Sequence, residues 1–298
     1  WNRRYPEYGF IETWNLKNVK TLQGLFKNRD KFNEDITKWY TGGVQNMSGM
    51  FMINILDLTS QFNQPIGGWL TFNVKDMSKM FFRAASFNQP IKDWDTKNVK
   101  NMSGMFRGAL SFNQPIGAWQ TNNVENMSGM FANTQFNQPL ATWNTGKVKD
   151  MSAMFMIDRP GLTSQFNQPI GNWDTKNVKK MWAMFANQDK FRQNLSNWDL
   201  SSLENDGLSQ IFARNRSTEM QIKNLYPLLK TKTNYLKKEF WKAYWSVNNF
   251  NFKAIIDGNN VYTYSNDVTG QGSLKSKVSY IKELKDGEAH FIEIQIKQ

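Results

Sequence analysis

FNQPIKDWDTKNVKNMSGMF, residues 87–106, is the unit from which most of this 298-residue chain is built. Near-copies of it recur through the first 215 residues. Their clearest mark is a tryptophan: Trp14, Trp39, Trp69, Trp94, Trp119, Trp143, Trp173 and Trp198 hold equivalent places, at spacings of 25, 30, 25, 25, 24, 30 and 25 residues. Eight units at this period predict stacked coils, each too small to bury its own apolar face and each dependent on its neighbours.

Within the unit, Ile91, Trp94 and Thr96 follow I-x-x-W-x-T, which alternates inward and outward over its last three positions as a short strand does. Val99, Met102, Met105 and Phe106 then fall at i, i+3, i+6 and i+7, the stripe of a two-turn helix, with Asn98 as its N-cap. Phe112, Asn113 and Pro115 mark a return segment, because proline forbids helix and asparagine favours turns. The fold class expected is an α/β repeat: a leucine-rich-repeat-like solenoid of about eight coils, each with a short strand and a short helix. At the end units the threonine becomes Leu16 and Leu200, as expected where the terminal coils meet a different environment.

The pattern F-N-Q-P-I-x-x-W-D-T-x-x-V-x-x-M-S-x-M-F resembles the BspA-type leucine-rich repeat surface proteins, in the form abundant among mycoplasma-type lipoproteins. The likeness covers about two-thirds of the chain. It implies a curved solenoid displayed on a cell surface, with adhesion or host-protein binding as its role and no catalytic residues. By resemblance alone, the chain is expected to be lipid-anchored through a segment upstream of Trp1, where the sequence starts without a methionine.

The domain organisation read from the sequence is a lead-in at residues 1–8, the solenoid at 9–215 and a capping or docking module at 216–298. Two units carry a longer connection, MINILDLTSQ at 52–61 and MIDRPGLTSQ at 156–165. Their likeness suggests duplication of a four-unit block, with both connections protruding on the same edge, and they read first as tolerated loop insertions, since surface loops lengthen cheaply. The C-terminal module is expected to hold helices at 219–229 and 234–247. Two β-hairpins follow, at 252–264 and 278–296, around DGNN and KDGE. Set directly after the last coil, it would cover the apolar end of the stack. Its basic aromatic stretch KKEFWKAYW, 237–245, fits packing against its own sheet, and also contact with a polyanion or membrane surface.

The formal charge is +12, a balance that favours acidic partners without choosing among them. There is no cysteine, so disulfides, thiolate metal sites and a thiol nucleophile are excluded. The only histidine is His290, beside a turn. Met102 and Met105 belong to the buried stripe, not to a metal site. No phosphate loop, metal cluster or nucleophile motif occurs. The chain reads as a non-enzyme with no cofactor, no metal and no small-molecule substrate.

Function must then sit in surface shape. Most units place a polar residue after the tryptophan, as with Asn15, Asp95, Gln120, Asn144, Asp174 and Asp199. Units two and three instead carry Tyr40 and Leu70, and Phe72 stands two places beyond Leu70. Tyr40, Leu70 and Phe72, rimmed by Lys38 and Lys75, are the candidate binding patch, since exposed apolar side chains cost solubility unless a partner covers them. The N-terminal lead-in could equally fold over them. The partner expected is a protein of the host extracellular matrix or plasma. The alternative is a structural or assembly component that docks proteins of the same cell through the solenoid and the basic module.

Overall fold

The computed structural model describes residues 9–204, 207, 208 and 211, together with the strands β1 (Phe252–Asp257), β2 (Asn260–Ser265) and β3 (His290–Glu293). The methionine stripe decides the architecture, and it does not form a helix. In coil 2 the Met50 N–H donates to Met47 O at 3.3 Å and the Met52 N–H to Gly49 O at 3.1 Å, so the chain closes successive four-residue turns. Gly49, third in the first of these turns, has φ +59°, and Gly104 and Gly129 repeat it at +60° and +62°. A positive φ at that place makes a type II turn and ends any α-helix within one turn. Glycine adopts it without strain.

The groups that a helix would have paired internally are instead shared between coils. Met47, Gly49, Phe51 and Ile53 donate their N–H groups to the carbonyls of Asp76, Ser78, Met80 and Phe82 at 2.8–2.9 Å. Isolated parallel bridges run along the stack from Thr21–Asn46 to Asp150–Lys180. The expected strand is absent too. Around the tryptophan, Trp94 N–H bonds to Ile91 O at 3.3 Å and Val99 N–H to Thr96 O at 3.0 Å, which are turn bonds. The expected α/β repeat, a leucine-rich-repeat-like strand and helix in each coil, is therefore not the architecture. Among the described residues there is no α-helix, only two single 3-10 turns at Ile11–Thr13 and Ile66–Gly68, and no strand before residue 252. Apolar spacings of three and four fit consecutive turns as well as helix, and inter-coil bonding decides between them.

The apolar columns nevertheless point inward as the repeat phase requires. Val99, Met102, Met105, Phe106 and Phe112 are fully buried, and so are their equivalents in the other middle coils. The indole rings stack from Trp14 to Trp39 and on to Trp69 at 6.2 Å, and from Trp94 to Trp119 and Trp143 at 6.3 and 6.4 Å. Each coil adds a close phenylalanine pair, such as Phe106 and Phe112 at 3.8 Å. Buried aromatics in offset stacks contribute beyond their area.

Polar members of the repeat tie the coils together. Trp119 Nε1–H donates backward to Ile91 O at 3.0 Å, and the buried Thr121 hydroxyl donates forward to Asn144 O at 2.8 Å. On the return segment, Asn88 Oδ1 accepts the Asn113 N–H at 3.0 Å, and Asn113 Oδ1 accepts the Asn137 N–H at 2.9 Å. Asn98, expected as an N-cap, sends its Nδ2–H to Phe72 O at 2.7 Å. Leu200 takes the threonine place in the last described coil and is buried there.

The three C-terminal strands form an antiparallel sheet of order β2-β1-β3. The first expected hairpin is present, with Ile255 opposite Tyr262. β3 lies on the other edge of β1, with His290 opposite Ile256. The expected lead-in at 1–8, the helices at 219–229 and 234–247 and the strand at 278–284 lie outside the described residues.

Candidate functional site

At the position after the tryptophan the side chain normally closes a small turn. Asp95 Oδ1 accepts the Lys97 N–H at 3.1 Å, and Asn144, Asp174 and Asp199 do the same for the residue two places on. This is the Asx-turn chemistry that favours Asp and Asn there. Tyr40 and Leu70 have no such acceptor. Their coils keep the same geometry: Trp39 N–H to Ile36 O at 3.3 Å and Val44 N–H to Thr41 O at 2.9 Å, against 3.3 and 3.0 Å in coil 4. The Thr41 hydroxyl still reaches Leu70 O, at 3.1 Å, which places Tyr40 and Leu70 side by side on neighbouring coils.

Both side chains project outward, Tyr40 52% and Leu70 41% exposed, while Phe72 is half-buried. A methyl group at Gly42 would meet the Tyr40 hydroxyl at 2.8 Å and the Phe72 ring at 3.3 Å. Tyr40 therefore lies across Gly42 toward Phe72, and the bare glycine is the floor that lets the two rings approach. The structure thus brings Tyr40, Leu70 and Phe72 together and adds Gly42, which sequence reading did not single out. Its signal was available: Gly42 stands in the column that holds Phe72 and Lys97 in the next two coils. Lys38 and Lys75 are exposed in the same two coils and make no ion pair among the described residues.

Trp39, Trp69, Trp94, Trp119, Trp143, Trp173 and Trp198 are buried in the ladder, and Trp14 packs partly buried against it. Asn46, Asn101 and Asn126 accept the N–H of the serine two residues on, so they act as repeat turn residues. Two other exposed apolar sites stand out. Ile55 and Leu56 lie in the first long connection, 49% and 79% exposed, and Trp182 is 43% exposed where other coils carry serine. The second long connection is pinned down: Asp158 N–H donates to Asn133 Oδ1 at 2.7 Å, and Arg107 pairs with Asp158 at 3.1 Å. With Asn187 and Lys190 it walls a cavity of about 430 Å³.

Two carboxyl groups are perturbed. The Thr37 hydroxyl, and then its N–H, hold Asp35 below the usual carboxylate range. Lys149, through its hydrogen bond and its charge, does the same for Glu125. Both are surface effects. Among the described residues no group of three or more His, Cys, Asp or Glu is placed to hold a metal.

The fold and this surface define a repeat protein whose coils are runs of turns bonded edge to edge. The chain belongs to the family described as "Mycoplasma protein of unknown function, DUF285", whose profile matches residues 6–102, 52–161, 116–226 and 162–249. This is a mycoplasma repeat family, and the match does not extend to the BspA-type leucine-rich repeats. Comparison with curated proteins and with solved structures gives no match.

Proposed function

We propose that this protein is a non-enzymatic, surface-displayed binding protein that takes a host protein ligand on the patch of Tyr40, Leu70 and Phe72. Display on the cell surface and adhesion follow the BspA-type resemblance. The strand-and-helix coil of that group forms no part of the reading. One observation supports it best: coils 2 and 3 close with the same bonds as the others while carrying apolar side chains that those bonds do not use. An apolar centre within a lysine and amide rim has the composition of a protein-binding surface.

The test is the double substitution Leu70→Asp with Phe72→Lys, which writes the regular repeat into coil 3. The variant should fold as the parent does and lose capture of its ligand from host matrix and plasma proteins. Full capture by the variant would rule the patch out.

A further inference from the structure

A second surface is made of lysine. Six residues after the first seven repeat tryptophans stand Lys20, Gln45, Lys75, Lys100, Glu125, Lys149 and Lys179, and Glu204 follows the eighth. From Gln45 to Lys179 each N–H in this column donates to the carbonyl of its counterpart in the preceding coil, six bonds of 2.8 Å, and Glu204 adds a seventh at 2.9 Å. The side chains therefore project from one continuous line, with coils about 4.8 Å apart as in a bonded strand pair. Seven coils make the line roughly 29 Å long on that spacing. The column three residues after the tryptophan adds Lys17, Lys97 and Lys176, and Lys147 lies between the two. All nine lysines are exposed, and the residue between the columns, such as Val99 or Val148, is buried, so both columns border one strip.

The carboxylates within these columns are Glu125, which Lys149 pairs with at 2.6 Å, and Glu204 at the end of the line, which Lys180 pairs with at 3.6 Å. Lys97 and Lys176 pair with Asp95 and Asp174 at 2.9 and 3.1 Å from the neighbouring column. Such exposed pairs are weak and exchange readily for a stronger anion. Lys20, Lys75, Lys100 and Lys179 make no ion pair among the described residues. Folding does not require this charge: the strip is held by backbone bonds and a buried core, to which lysine head groups contribute nothing.

We infer that this strip binds a linear sulfated polysaccharide, a glycosaminoglycan chain laid along the stack axis. The strip is continuous, narrow and long, so it matches a single extended polyanion with repeating charges. Lysine, a mobile point charge, suits tetrahedral sulfate without fixing a fork geometry. The aromatic side chains at the columns are Phe72 in coil 3 and Tyr40, which lies across Gly42 in coil 2. The other coils offer no ring on which successive unpaired bases could stack, as a single-stranded nucleic acid would need. They also lack the apolar row with which a surface enters a bilayer. The strip meets the apolar patch in coils 2 and 3, at Lys75, Phe72 and Gly42 with Tyr40 across it, and is separate from it in the other coils.

The experiment uses the full chain, immobilised heparin as the probe and a salt gradient, since contacts with a polyanion weaken steeply with ionic strength. Two strip variants change Lys20, Lys75, Lys100 and Lys179, or Lys17, Lys97, Lys147 and Lys176, to Gln. A control changes Lys27, Lys31, Lys92 and Lys190 to Gln and removes the same charge elsewhere. Each strip variant should elute at lower salt and bind heparin about tenfold or more weakly at physiological salt, with a shallower salt dependence. The control should bind as the parent does, and Glu125→Lys, which closes the gap in the column, should bind more tightly. Equal losses in strip and control variants, or unchanged binding in both strip variants, would overturn the proposal. So would tighter binding of the parent to duplex DNA or phosphatidylserine vesicles than to heparin. Leu70→Asp with Phe72→Lys should keep heparin binding, which separates this surface from the protein-binding patch.

Discussion

Coils 2 and 3 differ from coils 4 and 5 in what they show to solvent and hardly at all in how they are built. Trp69 Nε1–H reaches Ile36 O at 3.0 Å and Trp119 Nε1–H reaches Ile91 O at 3.0 Å. The Thr71 hydroxyl finds the next coil's carbonyl at 3.1 Å, and that of Thr121 at 2.8 Å. Yet the residue after the tryptophan is Leu70 in one and Gln120 in the other. The difference teaches that the inward columns carry the fold and the outward ones are free to vary. Apolar residues at an outward position then call for an explanation outside the coil.

If the interiors are equivalent, Trp69→Ala and Trp119→Ala should each destabilise by about 3–5 kcal/mol, the range for a buried aromatic. Denaturant melts in which the coil 3 site costs far less than the coil 5 site would break the comparison. Thr71→Val and Thr121→Val remove one forward bond each and should cost about 1 kcal/mol apiece, since a part-buried carbonyl loses its donor. Markedly unequal midpoint shifts for the pair would show that the two coils are tied differently.

Outward exchanges should hardly register in stability. Gln120→Leu, which makes coil 5 resemble coil 3, and Leu70→Asp, which does the reverse, should both stay within about 0.5 kcal/mol of the parent. Leu70→Asp supplies the missing turn acceptor, so a large loss there would mean that the leucine is built into the coil after all.

The smallest effect is electrostatic. The Lys149 bond lowers the folded carboxyl of Glu125 below its unfolded value. Its contribution is therefore present above the unfolded carboxylate range, about pH 4.3, and is lost as pH falls through the lower folded value. Lys149→Gln should raise the Glu125 titration toward the ordinary value, as followed by the NMR shift of its carboxyl carbon. An unchanged titration would show that this surface pair does not persist in solution.

How much of this was legible varies from column to column. The tryptophan spacing and the in-phase valine, methionine and phenylalanine positions identified a stack with a continuous core, because apolar columns recurring in phase can be buried only against the same columns of neighbouring coils. The outward placement of Tyr40 and Leu70 was legible for the same reason. The spacing of Val99, Met102, Met105 and Phe106 suits either a helix or a run of turns, and Gly104 in the middle of the stripe, unfavourable inside a helix, is the one local sign of the turn. The partnership of Tyr40 with Gly42 was invisible, since it depends on a ring folding back along its own coil.

The sequence by itself determined that the chain is a repeat, which residues face inward and which break the outward pattern, since periodicity and polarity are local properties written in every unit. Only the tertiary structure decided what each unit is. A four-residue turn with a left-handed third residue and a turn of helix cover similar lengths of chain, and isolated units of either kind are unstable. The choice rests on where the N–H groups of Met47, Gly49, Phe51 and Ile53 find acceptors. Those acceptors belong to the next coil, about 30 residues away in sequence and one hydrogen bond away in space.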